Sequence, residues 1–418
     1  MLALQNIFQK DNDIASIVEG VEAGFNEQLI SGLTGSSRAL FVATLYEQVR
    51  RPQLVLTHNL YQAQKVYDDL VELIGENDVL LYPVNDLISS EIAIASPELK
   101  AQRLQVLNHW VNWGTGIVVA PIAGVKRMIV PLSVWIKTMV RLQVGEELDI
   151  DTMLKRLVTS GYERTPMISS PGEFSMRGGI IDVYPLTEEH PIRIELFDTE
   201  IDSIRYFDVE SQRSQQKVDA IAIGPAEELL FEEDVFKKGK EALKNRLAKT
   251  LNKVKNKEVK ERLAEQIGFE IEKLENGESF QGIYKYISLF YDEPESLLDY
   301  LPESGTVIID ETSRVQEVAQ QLDKEEAEWH TAMLEQGETV YDLPLSWSFE
   351  SLFQQRNKTV IHLSLFLRHI PHTNPLNVVN MTCKTMQQFH GQMNVLKSEL
   401  ERWKSGNFTV ILLAASEE

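Results

Sequence analysis

The sequence predicts an α/β protein: a parallel-sheet domain interrupted by a small antiparallel β-rich domain, with the start of a further α/β domain at the end. Three observations carry that reading. Short, all-apolar stretches alternate with amphipathic ones through residues 24–129, closely spaced alternating stretches take over from about Met139, and an apolar stretch closed by two acids returns at 306–311. Continuous apolar strands between helices mark a parallel sheet covered on both faces, whereas alternation marks an antiparallel sheet with one solvated face.

Taken in order, residues 27–33 read as a first strand ending in a Gly/Ser loop, and 39–49 as an amphipathic helix. A strand at 53–57, a helix at 60–74, a strand at 79–82, a helix at 98–111 and a strand at 116–120 repeat the pattern. The stretches FSMRGGIIDVYP, IRIELFD, EIDSIRYFDVE and VDAIAIGP, separated by turn-rich breaks, form the antiparallel module. Residues 232–277 read as one long helical stretch, and 306–309 as a return to a parallel-type strand, so the first domain resumes after the module. Residues 387–413 read as helix then strand, FTVILLAA, which has no evident continuation; the expectation is the front part of a longer polypeptide. The expected division is 1–136 for the first part of the parallel-sheet domain and 137–225 for the β-rich domain. A helical stretch and the return to the first domain follow at 226–380, and the start of a further domain at 381–418.

At 418 residues the chain exceeds one ordinary core. With 41 Lys and Arg against 63 Asp and Glu, its charge of −22 argues against a protein that coats nucleic acid, since phosphate neutralisation needs a cationic surface. Residues 237–260 depart from this, with ten basic side chains against two Glu (10 − 2 = +8). A solvated helix face is the simpler account of that run, and DNA contact stays open beside it. A single cysteine, Cys383, excludes an internal disulfide, and no stretch approaches the roughly 18 consecutive apolar residues that a membrane span requires. The N-terminus lacks the basic and apolar regions of a signal peptide, so the cytoplasm is the expected address. His369 and His372 lie in RHIPH, where Pro371 breaks helical spacing and no cysteine or carboxylate pair is near, so no metal site is expected. No Ser-His-Asp or Cys-His grouping assembles from spacing, and no catalytic residue is assigned.

Two groups of residues could carry function. The first follows the opening strand, where a phosphate-binding loop of pattern G-x-x-x-x-G-K-[ST] would sit, its lysine reaching the phosphates and its hydroxyl holding magnesium. Here Gly32 and Gly35 remain, but Ser37 replaces the second glycine of the pattern, Arg38 the lysine and Ala39 the hydroxyl residue. Arginine is a broad planar fork and alanine cannot ligate a metal, so the loop is expected to have lost its chemistry. Asp310 and Glu311, at the end of VIIDE, have the form of the partner acidic motif that organises magnesium and water.

The second group lies in the β-rich domain. In IRIELFD, alternation sends Ile194 and Leu196 to the core and leaves Arg193, Glu195 and Phe197 on the opposite face. In GEFSMRGGII, the same rule puts Met176 and Ile180 on one face and Ser175 and Arg177 on the other. Arginine and aromatic side chains are enriched among binding hot spots. The competing account is that Phe197 packs beneath a neighbouring segment and the arginines pair with Glu195 or Asp198; the residues alone leave both open. Gly172, Gly178 and Gly179 are expected to serve turns or close backbone approaches, and Arg164 and Arg205 read as ordinary surface charge.

The segments LISGLTGSSRALFVATLY, PQLVLTHNLYQAQKVYDDL, GIVVAPIAGVKRMI, GEFSMRGGIIDVYP, PIRIELFDTEIDSIRYFD and TVIIDE run in the order seen in the excision repair protein UvrB. They are more similar still to the UvrB-like N-terminal module of the bacterial transcription-repair coupling factors, in which a degenerate phosphate loop stands beside an intact β module. The resemblance implies a RecA-like parallel-sheet domain and a β-rich domain that docks UvrA, with Arg177, Arg193 and Phe197 on the partner-binding surface. Where UvrB carries a long aromatic hairpin that clamps DNA, YPVNDLISSEIAIASPELK is short and holds a single Tyr, which implies that the clamp is absent. The resemblance further implies no cofactor in this chain, with ATP and magnesium serving a motor further along the full-length protein. RNA polymerase and DNA would be met outside this chain, and an intramolecular contact with the protein's own C-terminal part is implied, with the docking face left open as free or covered. The alternative, a UvrB-type ATP-dependent damage-binding protein, requires nucleotide at the loop.

Overall fold

A computed structural model of the chain describes residues 8–85, 96–230, 232–276, 278, 280, 282–354, 358–383, 389 and 391–410. The chain divides into two compact units, Met1–Met381 and Thr382–Glu418.

In the first unit the apolar stretches become β1 (Glu27–Ser31), β2 (Gln53–Thr57), β3 (Val79–Leu81) and β4 (Ile117–Pro121), connected by helices Ser37–Val49, Leu60–Ile74 and Pro97–Trp113. The chain then leaves the sheet through β5 (Val140–Gln143) and helix Ile150–Thr159. It builds β6 (Glu163–Arg164), β7 (Glu173–Arg177), β8 (Ile180–Val183), β9 (Ile192–Phe197), β10 (Glu200–Phe207) and β11 (Ser214–Val218), and returns through β12 (Ala220–Ile223). Later come β13 (Thr306–Asp310), β14 (Thr359–Ser364) and β15 (Asn377–Asn380). Seven strands make a parallel sheet in the order β15-β1-β14-β13-β2-β4-β3, six make the second sheet in the order β11-β10-β9-β8-β7-β6, and β5 pairs with β12.

Burial explains the two grammars. Every residue of β2, β4 and β13 is buried, as strands covered on both faces require. Their side chains share one core, with Leu54, Val118 and Val307 packed with Leu243, Leu263 and Ile267 of the later helices. In β9 burial alternates, in β10 it falls on Ile201, Ile204 and Phe207 because the register shifts between Ile201 and Ser203, and Phe174, Ile181, Ile192, Ile194 and Ile204 form a separate cluster closed by Met153 and Leu157 of helix Ile150–Thr159.

Several expectations change. FSMRGGIIDVYP is two strands, not one, because Gly178 (φ +61°) opens a two-residue turn that pairs Arg177 with Ile180. The helical stretch at 232–277 is a pair of helices, Glu233–Lys253 and Lys257–Glu275; Val254 is extended, and the Asn256 side chain accepts from the Glu258 and Val259 amides to start the second helix. The sheet's inner strand β14, its edge strand β15 and the long helix Thr312–Gln336 were not anticipated at all. In Thr382–Glu418 the helix is Met393–Ser405, with the Phe389 ring edge-on to Trp403. Residues 408–410 of FTVILLAA form no strand, and 411–418 lie outside the described residues, as do 86–95 within YPVNDLISSEIAIASPELK.

The β-rich domain's exit is tied to the parallel-sheet domain. Gly224 lies against Asn108, close enough that a Cβ would stand 2.2 Å from its side chain. Glu228 accepts from Arg103 Nε and Nη2 at 2.8 and 2.9 Å and from Arg127 Nη2 at 3.1 Å. Burial alone would raise the Glu228 carboxyl, but Arg127 and Arg103 beside it hold it down to about 2. Arg127 also lies over the Tyr284 ring, 4.1 Å from its centroid.

Candidate functional site

The loop after β1 lies at the C-terminal ends of the parallel strands, where open α/β sheets place their ligands. Gly32 closes β1 with φ +85°; a Cβ there would fall 1.8 Å from the Met381 carbonyl oxygen, so only glycine fits. Its amide donates to Ser364 O at the end of β14. Ser37 Oγ is turned back into the loop, accepting from the Thr34 amide at 2.8 Å and donating to Thr34 O at 2.7 Å. Gly35 (φ +54°) turns the chain into the helix that carries Arg38 and the buried Ala39.

Arg38 spans the site. Its Nε donates to Leu33 O at 3.1 Å, Nη1 to Asp310 Oδ1 at 2.7 Å and Nη2 to Glu311 Oε1 at 2.5 Å. Gln62 Nε2 adds a longer contact to Asp310 Oδ2 at 3.4 Å. Sequence reasoning named all three ionic residues without foreseeing that they meet. A magnesium–nucleotide does not fit this arrangement: Ala39 offers no hydroxyl, the Ser37 hydroxyl is spent inside the loop, and the acids that would organise the metal already face a guanidinium. Glu311 sits in the left-handed region (φ +56°), which points its carboxylate towards Arg38 at the cost of backbone strain.

The outer face of the β-rich domain is organised by register. Ser175, Asp182, Arg193 and Arg205 stand opposite one another across four strands, and Arg177, Ile180, Glu195 and Ser203 form the neighbouring row. Ile180 therefore shares the row of Arg177, contrary to the alternation count, and Ile181 takes the core position. The two-residue turn resets the alternation, so counting straight through Gly178 and Gly179 gives the wrong face for the second strand.

Asp182 is the centre of this face. Arg193 grips it with Nε and Nη2 at 2.7 and 2.9 Å, and Arg177 Nη2 reaches the same carboxylate at 3.3 Å. Arg193 also donates to Gln212 Oε1 at 2.9 Å and lies 4.2 Å above the Phe207 ring, which leaves its side chain 13% exposed. Arg177 remains 49% exposed. The arginines thus pair with Asp182 and not with Glu195 or Asp198; Glu195 is held by Arg205 and by Ser203 Oγ at 2.9 Å. Phe197 is 78% exposed at the end of β9, before the turn at Asp198 (φ +57°). The Leu196 amide donates to Gly179 O at 2.8 Å, so the β7–β8 turn adjoins the end of β9 and brings Arg177 and Phe197 to the same margin of the sheet. Gly179 permits that approach: a Cβ would lie 2.9 Å from Leu196 O.

Asp182 was missed from sequence. The signal was present: a carboxylate inside the apolar strand IIDV has to find a cation, and the nearest arginines are those of the neighbouring strands.

The basic run is less available than its charge suggests. Lys237 pairs with Glu233, Lys238 with Asp292, Lys244 with Glu275, Arg246 with Asp342 and Lys257 with Glu261, while Lys253 lies over Tyr341.

Residues 140–229 match the family model described as the UvrB interaction domain. The chain is 49% identical over 415 residues to the transcription-repair-coupling factor of Bacillus subtilis (strain 168), covering 99% of this chain and 35% of that protein. It is 33% identical over 426 residues to the transcription-repair-coupling factor of Staphylococcus aureus (strain MRSA252), covering 100% of this chain and 35% of that protein. The chain therefore spans 35% of the length of these curated relatives. Along its whole length the chain is thus similar to part of the transcription-repair-coupling factors, and its β-rich domain matches the UvrB interaction domain.

Proposed function

We propose that this chain is a non-catalytic adaptor that brings the excision repair protein UvrA to a transcription-repair coupling factor, using the outer face of its β-rich domain as UvrB would. The observation that carries this reading is Phe197, 78% exposed at the sheet margin it shares with the half-free Arg177, within the segment that matches the UvrB interaction domain. An exposed ring on one margin with an arginine that has donors to spare is the combination that fills a pocket and forks onto a carboxylate. Arg193, drawn into Asp182, acts as a positioning residue that fixes the rim on which the other two stand.

In the full-length protein the motor, and with it ATP, magnesium, DNA and RNA polymerase, belongs to regions beyond this chain, and the protein acts in the cytoplasm with this face covered by its C-terminal part until UvrA is needed. The alternative of a UvrB-type ATPase finds less support, because Arg38 takes up the acids that hydrolysis would use.

Titrating purified UvrA against the wild-type chain and the Phe197→Ala and Arg177→Ala variants tests the proposal. Each variant is expected to bind about 30-fold more weakly, roughly 2 kcal/mol, with an unchanged melting temperature. Retention of full affinity by both would overturn it.

A further inference from the structure

The geometry points to Arg38 as the resident cation of the degenerate site: its guanidinium takes the charge role that a magnesium–nucleotide plays in an intact phosphate loop, and locks the loop in one state whatever nucleotide is present. This inference is independent of UvrA docking and rests on where Arg38 reaches. β1 and β13 are not neighbours, since β14 lies between them. Two strand spacings amount to about 10 Å, a span that favours the long side chain of arginine. Arginine also meets three acceptors on three segments at once: Leu33 O in the loop, Asp310 at the end of β13 and Glu311 at the head of helix Thr312–Gln336. A lysine ammonium is compact and would not hold the same planar fork.

The result joins four moving parts of a nucleotide switch. The loop is held by Arg38 and Ser37, β14 by the Gly32 amide on Ser364 O, β13 by Asp310, and helix Leu60–Ile74 by Gln62 on Asp310. In an intact site a bound nucleotide and its metal make the links to the acids and their departure breaks them; here the cation that makes them, Arg38, is covalently part of the chain and does not depart. The frame that carries the β-rich domain is thereby made insensitive to the nucleotide its ancestor would have followed.

Thermal melting of the full chain tests this with three proteins. The wild type is expected to show no upward shift with millimolar magnesium–ATP, because a ligand that binds only the folded state must raise the midpoint. Arg38→Ala should melt several degrees lower, since it strands Asp310 and Glu311 without their cation. Adding Asp310→Asn and Glu311→Gln to Arg38→Ala should recover at least half of that loss, which a merely steric role for Arg38 would not allow. If Arg38→Ala alone does not fold, the neutralised triple variant still should. The inference is overturned by a wild-type upshift with magnesium–ATP, by an Arg38→Ala protein as stable as the wild type, or by a triple variant that recovers nothing.

Discussion

Two arginine–carboxylate clusters in this molecule use the same chemistry to opposite ends. At the loop, one guanidinium meets two acids and a carbonyl, and little of any partner is left facing water. On the β-rich face, two guanidinia share one buried acid, so one of them, Arg177, keeps half its surface open, and the uncovered Phe197 ring stands two strands away at the same end of the sheet. The difference lies in stoichiometry: an arginine outnumbered by acids is closed, and an acid outnumbered by arginines leaves a donor for a partner.

The comparison is sharpened by a third cluster, in which Arg103 and Arg127 also outnumber Glu228 but both arginines are buried and the acid is only 11% exposed. Glu228→Ala should remove the acid that two buried arginines share and cost about 3–5 kcal/mol in urea unfolding, the largest effect expected here. Its pH dependence has a definite sign. Because the folded Glu228 carboxyl is held at about 2 against an ordinary 4.5, its stabilisation is complete above pH 4.5 and is lost as the pH falls towards 2.

A second pH window comes from His362 on β14, whose Nδ1 meets Thr312 Oγ1 at 3.1 Å and whose imidazole is pushed by burial down to about 4 from an ordinary 6.5. The folded state resists protonation that the unfolded chain accepts, so stability should fall by up to about 3 kcal/mol as the pH drops from 6.5 to 4. Replacing His362 with Gln should flatten that part of the curve; an unchanged slope would show that another group causes it.

On the docking face, Arg193→Ala and Phe197→Ala should separate. The first is expected to lose about 1–3 kcal/mol of fold stability along with UvrA affinity, because Asp182 loses its main partner; the second should lose affinity alone. Equal melting temperatures for the two would break the distinction between positioning and contact. The smallest effect is expected at the basic helices, where Lys237→Ala and Lys244→Ala should leave both the melting temperature and UvrA affinity unchanged, their partners being exposed acids.

Much of the architecture was legible because burial on both faces leaves an unmistakable mark: QLVLT and IVVAP can be little else than covered parallel strands. The strand TVIHLS was overlooked although it lies inside the sheet between β1 and β13, since a histidine in its centre breaks the apolar run; the fold tolerates it by keeping the ring neutral and hydrogen-bonded to Thr312. Phe197, Arg177 and the loop residues could be singled out by residue type. Their partners could not, because Asp182 and Arg193 are eleven positions apart and meet only through the β8–β9 register, while Arg38 and Asp310 meet only through the order of strands in the sheet.

The riveting of Glu228 has a mechanical meaning. A large protein docked on Phe197 and Arg177, as proposed, would tug on the small sheet as both partners tumble, and a domain joined to its neighbour by bare backbone would simply swivel. With Asn108 wedged against Gly224 and two arginines clamping Glu228 a few residues later, that torque passes into the broad parallel sheet, so the passenger and the platform turn as a single body.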